Sequence, residues 1–403
     1  MELRPGYKQT EVGIIPEDWG QDSIRNLASI TTGAKNTQDK VEDGAYPFFV
    51  RSPIVERIHS YSFDGEAVLT AGDGVGTGKI FHYIDGKFDV HQRVYRISNF
   101  SRDLDGYFFY LYFSTHFYDR IMSMTAKSSV DSVRMKMIAD MAIPLPPLPE
   151  QRAIAAALND VDALITSLDR LIAKKRDIKQ AAMQQLLTGR TRLPGFSGEW
   201  AVRTVNEMFE FLNTANNPRS DLTDKGEIEY IHYGDIHTRW ASFLDCGTEV
   251  LPLIHADKVR NVPFLEDGDL VMADASEDYE GTGVSVEVRN ASGARVVAGL
   301  HTLLLRGNHQ LLADGFKGYL QYIPSVRDSL RKIATGVSVY GISRSNIKSI
   351  RIRLPDPPEQ RAIAAVLSDM DAEIAALERR RDKTRALKQG MMQELLTGKT
   401  RLL

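Results

Sequence analysis

The sequence contains a single cysteine, Cys246, among 403 residues. One cysteine excludes disulfides within the chain and zinc sites built from paired cysteines, and it favours a reducing compartment. The sequence also lacks a run of about 18 apolar residues, which a membrane-spanning helix would need. Its N-terminal residues lack the apolar core of a secretory signal. We therefore expect a cytoplasmic protein that neither spans a membrane nor depends on disulfides.

A surplus of basic residues is also missing, because the formal net charge is −3 at pH 7. A free-standing DNA-binding domain usually carries a basic excess, since it must neutralise phosphates. The charge therefore argues against a solitary nucleic-acid-binding domain. It does not exclude a subunit of a larger assembly, in which partners supply part of the positive charge.

A complete nucleotide-binding motif is missing as well. The glycine-rich residues 72–79 resemble a phosphate-binding loop, which requires glycine, four residues, and then Gly-Lys-Ser/Thr. Asp73 stands at the first glycine position and Ile80 at the Ser/Thr position. We therefore interpret this stretch as a glycine-rich hairpin whose backbone and Lys79 approach a DNA phosphate.

Two further candidate sites have simpler interpretations. The Asp-Pro-Pro triplet at residues 356–358 resembles the catalytic loop of amino-methyltransferases, but Glu359 replaces the aromatic residue. We interpret the triplet as a helix start. His232 and His237 have no accompanying His-Glu-x-x-His helix or cysteine pair, so we interpret them as surface or core residues. The sequence thus predicts no metal, cofactor or catalytic residue in this chain.

What the sequence does contain is a long internal repeat. Residues 145–156 return as residues 354–365, and both copies contain Pro-Glu-Gln-Arg-Ala-Ile-Ala-Ala. Residues 186–191 return as residues 395–400 at the same shift of 209 residues (145 to 354). A match that keeps one register over so long a segment indicates that the chain is built from two copies of one unit.

Each copy predicts a long helix. Prolines precede it, and Glu150 and Glu359 lie in its first turn, where the helix dipole favours negative charge. Gly189 and Gly398 predict left-handed helix ends. The apolar positions alternate steps of four and three: Ile154, Leu158, Val161, Ile165 and Leu168 in the first copy, and Ile363, Leu367, Met370, Ile374 and Leu377 in the second. This is coiled-coil spacing, so we expect two helices of roughly 60 Å that pack as an antiparallel pair.

The repeat also relates the two ends of the chain. The internal copy continues from residues 189–193 into Pro-Gly-Phe at residues 194–196. The C-terminal copy stops at this point, and the N-terminus supplies the continuation as Pro-Gly-Tyr at residues 5–7. We therefore expect the two ends to lie close together.

The segments outside the helices diverge from each other and mix short β-type runs with helical stretches. The β-type runs include residues 67–70, 79–84 and 295–298, and the helical stretches include residues 107–124 and 314–333. The sequence predicts an α+β fold in which two domains with mixed β-sheets are joined by two long helices, packed as an antiparallel coiled coil with pseudo-twofold symmetry. The predicted boundaries are residues 1–146 and 191–355 for the two domains, 147–190 for the central helix and 356–403 for the C-terminal helix.

The doubled Pro-Glu-Gln-Arg helix, together with residues 7–19 and 299–306, resembles the specificity subunits of type I restriction–modification systems. The resemblance spans the whole chain and implies two target-recognition domains, each reading one half of a split, asymmetric DNA site from the major groove. It implies that the helices set the spacing and dock two modification subunits, which carry S-adenosylmethionine and methylate adenine. Restriction subunits, where present, would add translocation and cleavage, and none of this chemistry would reside in this chain.

Residue chemistry within the divergent segments supplies candidate DNA contacts. Arginine, lysine, histidine and serine provide the donors that phosphates and base edges require. The predicted DNA-binding residues are Lys35, Arg51, Lys79, Arg93, Lys127, Ser128, Ser129, Arg134, Arg219, His237, Arg239, His301, Ser338 and Arg344. Residues 127–129 and 336–338 occupy equivalent positions of the two copies, which favours them. The alternatives are a coiled-coil adaptor that binds only proteins and an enzyme with an unrecognised site.

Overall fold

A computed structural model describes residues 4–124 and 132–402. The chain forms two compact units. Unit 1 comprises Met1–Asp169 and Arg379–Leu403, and unit 2 comprises Arg170–Glu378. Each long helix therefore contributes residues to both units.

Unit 1 is an α+β structure. Its strands are β1 (Tyr7–Thr10), β2 (Gly13–Pro16), β3 (Gly20–Ser23), β4 (Ser29–Thr32), β5 (Tyr46–Phe49), β6 (Glu56–Ile58), β7 (Phe63–Ala71), β8 (Phe81–Val90), β9 (Val94–Ser98) and β10 (Ala142–Leu145). Its helices are α1 (Ile24–Leu27), α2 (Gly106–Ser123), α3 (Met135–Ala139) and the first part of α4 (Leu148–Leu186), and a 3-10 helix covers Thr37–Asp39.

The main sheet of unit 1 has six strands in the order β4-β9-β7-β8-β5-β6. Its neighbours are antiparallel except for β5 and β8, which are parallel, so the sheet is mixed as expected. Strands β3 and β10 form a separate antiparallel pair that ties the start of the domain to the segment just before α4. Helix α2 buries Phe108, Phe113 and Phe117 in a core that also contains Ile154 of α4 and Leu395 of the second long helix.

Unit 2 repeats this plan with different strands. They are β11 (Ala201–Thr204), β12 (Phe209–Leu212), β13 (Ile228–Ile231), β14 (Phe243–Asp245), β15 (Leu253–Ile254), β16 (Leu270–Ala273), β17 (Ala275–Ser276), β18 (Ser285–Arg289), β19 (Val296–Ala298), β20 (Thr302–Gly307), β21 (Tyr340–Gly341) and β22 (Arg351–Leu354). The helices are the second part of α4, α5 (Val205–Met208), α6 (Tyr233–Thr238), α7 (Pro324–Ile333), α8 (Arg344–Lys348) and the first part of α9 (Pro357–Leu395), whose last part belongs to unit 1. Unit 2 also has 3-10 helices at Arg219–Asp221, Ala256–Lys258 and Lys317–Tyr322.

The sheets of unit 2 are also mixed. A five-stranded sheet has the order β12-β20-β16-β18-β14, and a three-stranded sheet has the order β15-β13-β19. The pairs β14–β18 and β13–β19 are parallel, and the other pairs in these two sheets are antiparallel. Strands β11 and β22 close the domain as β3 and β10 do in unit 1.

Most of the predicted local elements are confirmed. Residues 67–70 lie in β7, residues 107–124 overlap α2, and β19 covers most of residues 295–298. The helical stretch predicted around residues 314–333 consists of two segments, because a 3-10 helix ends before Ile323 and α7 begins at Pro324. Proline has no backbone N–H to continue the preceding helix, but it fits the first turn of a new one.

The predicted seam of the long helices is confirmed within each unit. Ile154 and Leu158 in α4 and Ile363 and Leu367 in α9 are fully or almost fully buried. Within each unit, residues further along α4 form ion pairs with residues that come earlier in α9. These pairs are Asp162–Lys388 and Asp169–Arg385 in unit 1, and Lys175–Glu373 and Lys179–Asp371 in unit 2. The pairing is therefore antiparallel in both units.

The expected proximity of the chain ends is also confirmed within unit 1. The Tyr7 hydroxyl donates to the carbonyl oxygen of Gly398 at 2.9 Å. Arg401 forms a bidentate ion pair with Asp18 at 2.8 and 2.9 Å. Gly398 and its counterpart Gly189 have φ values of 70° and 69°, the left-handed helix ends that the sequence predicts.

Candidate nucleic-acid interface

The Glu of each Pro-Glu-Gln-Arg motif holds the start of a long helix against a tryptophan and an arginine. In unit 1 the buried Glu150 accepts from the indole of Trp19 at 3.0 Å and from Arg401 at 2.6 and 2.8 Å. In unit 2 the buried Glu359 accepts in the same way from Trp200 and Arg192. The interaction of these carboxylates with the helix dipole is therefore secondary, since their main partners are charged and indole donors.

The Gln of the motif ties each long helix to the domain that precedes it. Gln151 accepts from the backbone N–H of Asp105 and donates to the carbonyls of Asp103 and Pro146. Gln360 accepts from the N–H of Ala313 and donates to the carbonyls of Leu311 and Pro355. Both glutamines are fully buried. The repeated Glu and Gln thus hold the long helices against the domains, and we call the long helices with these contacts the frame. The divergent loops remain as the candidate binding surface.

In unit 1, several predicted DNA-binding residues come together around a carboxylate that the sequence did not single out. Arg51 donates to Asp73 at 2.7 Å, and Arg93 lies 3.7 Å from the same carboxyl group. Asp73, Arg93 and Arg134 line one cleft of about 380 Å³. We call Arg51, Asp73, Arg93 and Arg134 the Asp73 cluster. Its three arginines are exposed, and Arg51 and Arg93 can exchange the carboxylate for a phosphate or a base edge.

Two other predicted residues of unit 1 lie beside this cluster. The backbone of Lys35 bridges to His91, two residues before Arg93. Lys79 belongs to the β7–β8 hairpin and stacks over the ring of Tyr118 at 5.0 Å. The glycine-rich stretch is therefore the hairpin that the sequence predicts. The predicted residues Lys127, Ser128 and Ser129 lie outside the described residues.

A repeated Gly-Thr-Gly segment that the sequence analysis missed supports the hairpin. It covers residues 76–78 in unit 1 and 281–283 in unit 2. The last glycine of each has a positive φ, 69° and 76°. A Cβ atom there would lie 2.4 Å from Ile121 of α2 in unit 1 and 2.9 Å from Leu330 of α7 in unit 2. The shift between the copies is 205 residues (76 to 281) and not 209, which hid the match.

In unit 2, His237 and His301 gather around Tyr233 and Asp274. The Nδ1 atom of His301 lies 3.2 Å from Asp274. Both histidine rings face Tyr233, with centroid distances of 5.4 Å for His301 and 6.1 Å for His237. His237 donates through Nε2 to the carbonyl of Ala275 at 2.9 Å. We call Tyr233, His237, Asp274 and His301 the Asp274 cluster.

The remaining predicted residues of unit 2 have separate surroundings. Arg219 pairs with Asp235 at 2.9 Å in the same α6 region as Tyr233. Arg239 instead pairs with Glu249 at 2.8 Å and stacks on Trp240. Ser338 is exposed in a bend, and Arg344 donates to the carbonyl of Leu212 at 3.0 Å. Arg239 and Arg344 therefore contact residues other than those of the Asp274 cluster.

A neutral histidine supports the loop beside each cluster. The pKa of His91 is lowered by burial, and Arg51 lowers it further while Asp73 opposes the effect. The pKa of His232 is likewise lowered by burial and by Arg219. His91 Nδ1 accepts from the N–H of Arg93, and His232 Nδ1 accepts from the N–H of Gly234. Since an accepting Nδ1 must be unprotonated, the lowered pKa favours these loop conformations.

Within 4–124 and 132–402, no three histidine, cysteine or acidic side chains are placed to hold a metal ion. None of the helices in this part of the chain has the length and hydropathy of a membrane span.

Comparison with known proteins agrees with this architecture. Residues 16–175 match the model of the type I restriction modification DNA specificity domain. The putative type I restriction enzyme MjaX specificity subunit of Methanocaldococcus jannaschii is 23% identical over 439 residues, covering 98% of this chain and 97% of that protein. The MjaVIII specificity subunit of the same organism is 22% identical over 413 residues, covering 96% and 94%.

A solved structure has the same fold. The S subunit of a type I restriction–modification system from M. genitalium matches with a TM-score of 0.61 and 14% identity, covering 98% of both chains. The resemblance stated from the doubled Pro-Glu-Gln-Arg helix is therefore confirmed. The chain is similar over almost its whole length to specificity subunits of type I restriction–modification systems, and its function is sequence-specific DNA recognition.

Proposed function

We propose that this chain selects the target of a type I restriction–modification complex by reading a bipartite, asymmetric DNA sequence, with one half-site for each unit. The observation that carries the proposal is the difference between the two clusters. Unit 1 places Arg51, Arg93 and Arg134 around Asp73, whereas unit 2 places His237 and His301 around Asp274. Similar frames that present unlike donors are suited to two unlike half-sites.

The proposal assigns catalysis to the partners. Two modification subunits would bind S-adenosylmethionine and methylate adenine, and restriction subunits, where present, would cleave the DNA. This chain would act in the cytoplasm as the non-catalytic subunit that directs both reactions. The net charge of −3 is compatible with this role, because exposed arginines of the Asp73 cluster and the partner subunits together would neutralise phosphates.

The test is sequencing of methylated adenines in a host that expresses this chain with its modification subunit, compared with the same host lacking this gene. We expect methylation at one split motif that disappears with the gene. Methylation unchanged by the deletion, in a host where the complex is shown to assemble, would instead support an adaptor without DNA specificity. A variant with Glu359→Ala serves as a control for loss of folding, since Glu359 contacts only the frame.

A further inference from the structure

Three backbone hydrogen bonds in unit 1 each have a counterpart in unit 2, so the loops that carry the two clusters have the same backbone arrangement. The N–H of His91 donates to Phe49, and the N–H of Gly299 donates to Ile231. These contacts join the loop that follows β8 to the end of β5, and the loop that follows β19 to the end of β13. Strand β5 pairs in parallel with β8 as β13 does with β19, so the two loops leave equivalent strand pairs.

The other two hydrogen bonds fix which residues correspond. The N–H of Gly72 donates to the carbonyl of Arg93 at 2.8 Å, and the N–H of Asp274 donates to the carbonyl of His301 at 3.1 Å. The carbonyls of Gly72 and Asp274 then accept from the N–H groups of Val133 and Ile342, respectively, at 2.7 and 2.8 Å. Arg93 and His301 therefore occupy the same position of the two units.

The side chains at this position are similarly arranged although their chemistry differs. Arg93 is 64% exposed with its Nε atom 3.7 Å from Asp73, and His301 is 51% exposed with its Nδ1 atom 3.2 Å from Asp274. Each residue thus directs one nitrogen towards a carboxylate from another loop of its own unit. The terminal nitrogens of Arg93 and the Nε2 atom of His301 are the donors or acceptors that remain for an outside partner.

The backbone of His301 provides an independent observation. Its φ of 56° lies in the left-handed region, where the other non-glycine residues in the described part of the chain are Asn99, Asn261 and Asn290. Asparagine tolerates this conformation better than histidine, and such strain concentrates at functional sites. Because asparagine would adopt this backbone conformation more easily, the contacts of the imidazole ring explain why the residue is a histidine.

We propose that Arg93 and His301 are the equivalent base-reading residues of the two units, and that each determines one base of its own half-site. Arg93 is suited to guanine, whose O6 and N7 atoms accept a bidentate guanidinium. His301 donates through Nδ1 to Asp274 and presents Nε2 to the edge of a base. This proposal rests on the proposed function and adds the position in each unit that reads sequence.

The experiment determines the methylated motif produced by full-length variants expressed with the modification subunit. The variants are Arg93→Ala and His301→Asn, and the asparagine keeps the left-handed backbone while it removes the imidazole. Exposed arginines outside the clusters, Arg102→Ala in unit 1 and Arg353→Ala in unit 2, are the matched controls. Methylation by the wild-type chain, lost on deletion of the gene, tests the proposed function separately.

We expect each variant to lose discrimination at one position of one half-site, by about 5- to 150-fold, since a good side chain–base pair contributes about 1–3 kcal/mol. Arg93→Ala should relax a guanine in one half-site and His301→Asn a base in the other, with the gap and all other positions unchanged. An unchanged motif would overturn the proposal. A uniform fall at all positions would also overturn it, because that result indicates a phosphate contact or a role in folding.

Discussion

The indole Nε1 of Trp19 donates to Glu150 at 3.0 Å, and this hydrogen bond joins the N-terminal segment to the start of a helix that lies 131 positions further along the chain. Arg401 completes the contact from the C-terminal end. Unit 2 builds the same contact from Arg192, Trp200 and a buried glutamate, but there the arginine and tryptophan belong to one continuous segment. The break between the two chain ends in unit 1 therefore corresponds to the segment from Arg192 to Trp200 in unit 2, where the chain is continuous.

We expect Glu150→Ala to lower the free energy of unfolding by about 3 kcal/mol, because it leaves the buried Trp19 indole without its acceptor and Arg401 with Asp18 alone. Urea denaturation of the purified chain measures the change. Glu359→Ala should cost a similar amount, whereas the exposed Glu199→Ala should change stability by less than about 0.5 kcal/mol. Equal, small effects of all three substitutions would contradict the role assigned to the buried glutamates.

Joining the chain ends and opening the chain after Leu193 should leave DNA binding intact. The new C-terminal residue, Leu193, would follow Arg192 as Leu402 follows Arg401, so both Arg–Glu–Trp contacts can form. Binding of the permuted chain, assembled with its modification subunit, to a duplex carrying the target measures the outcome. A second permutant opened inside β7, between Asp64 and Gly65, should lose binding because it interrupts the main sheet. Loss of binding in the first permutant as well would refute the equivalence of the two connections.

The frame of this protein could be predicted from its sequence because each pattern that indicates it lies within a short stretch of chain and occurs twice. The steps of four and three from Ile154 and from Ile363 identify the buried seam without knowledge of any distant contact. The 209-residue shift also places Arg192 and Arg401 in equivalent positions. It does not reveal that these arginines bind Glu359 and Glu150, because a repeat shows which residues correspond and not which residues touch.

The clusters were less predictable because they depend on contacts between distant parts of the chain. Residue type alone predicts Arg51 and Arg93, and the sequence around their shared partner Asp73 indicates only a departure from a phosphate-binding loop. The pairing of β7 with β9 brings Asp73 and Arg93 together, and that register cannot be derived from local pattern. Arg239 and Arg344 have a residue type equally suited to DNA, but Arg239 pairs with Glu249 and Arg344 donates to a backbone carbonyl.

Acidification should destabilise the loops beside both clusters. The pKa values of His91 and His232 are lowered in the folded chain, mainly by burial, so unfolding raises their affinity for protons. The stabilising contribution is complete above the unfolded pKa near 6.5 and is lost as pH falls through the lower folded value. We expect the free energy of unfolding to fall between pH 7.5 and 5.5 in urea titrations. His91→Gln should make this fall smaller, and an unchanged pH dependence would contradict the assignment.

The proposal that the long helices set the distance between half-sites predicts a change in the gap when both are lengthened. Insertion of one heptad into α4 and one into α9 keeps the seam in register and adds about 10 Å, at 1.5 Å per residue. This is roughly three base pairs at 3.4 Å per pair, so the methylated motif should acquire a gap longer by about three positions. Insertion into α4 alone is the control and should abolish methylation, because the seams no longer match. An unchanged gap in the doubly lengthened protein would refute the spacing role.

Asp73→Asn should strengthen binding to DNA of any sequence and make it more sensitive to salt. Asp73 holds Arg51 at 2.7 Å, so removal of its charge frees this guanidinium group for a phosphate. Each additional phosphate contact steepens the dependence of log K on log salt by about 0.9. Fluorescence anisotropy of the assembled complex with target and scrambled duplexes, from low to physiological salt, measures both quantities. Arg51→Ala should shift them in the opposite direction, and Arg102→Ala should leave them unchanged. Weaker binding of the Asp73→Asn complex at every salt concentration would mean that Asp73 positions the arginines for DNA and does not compete with it.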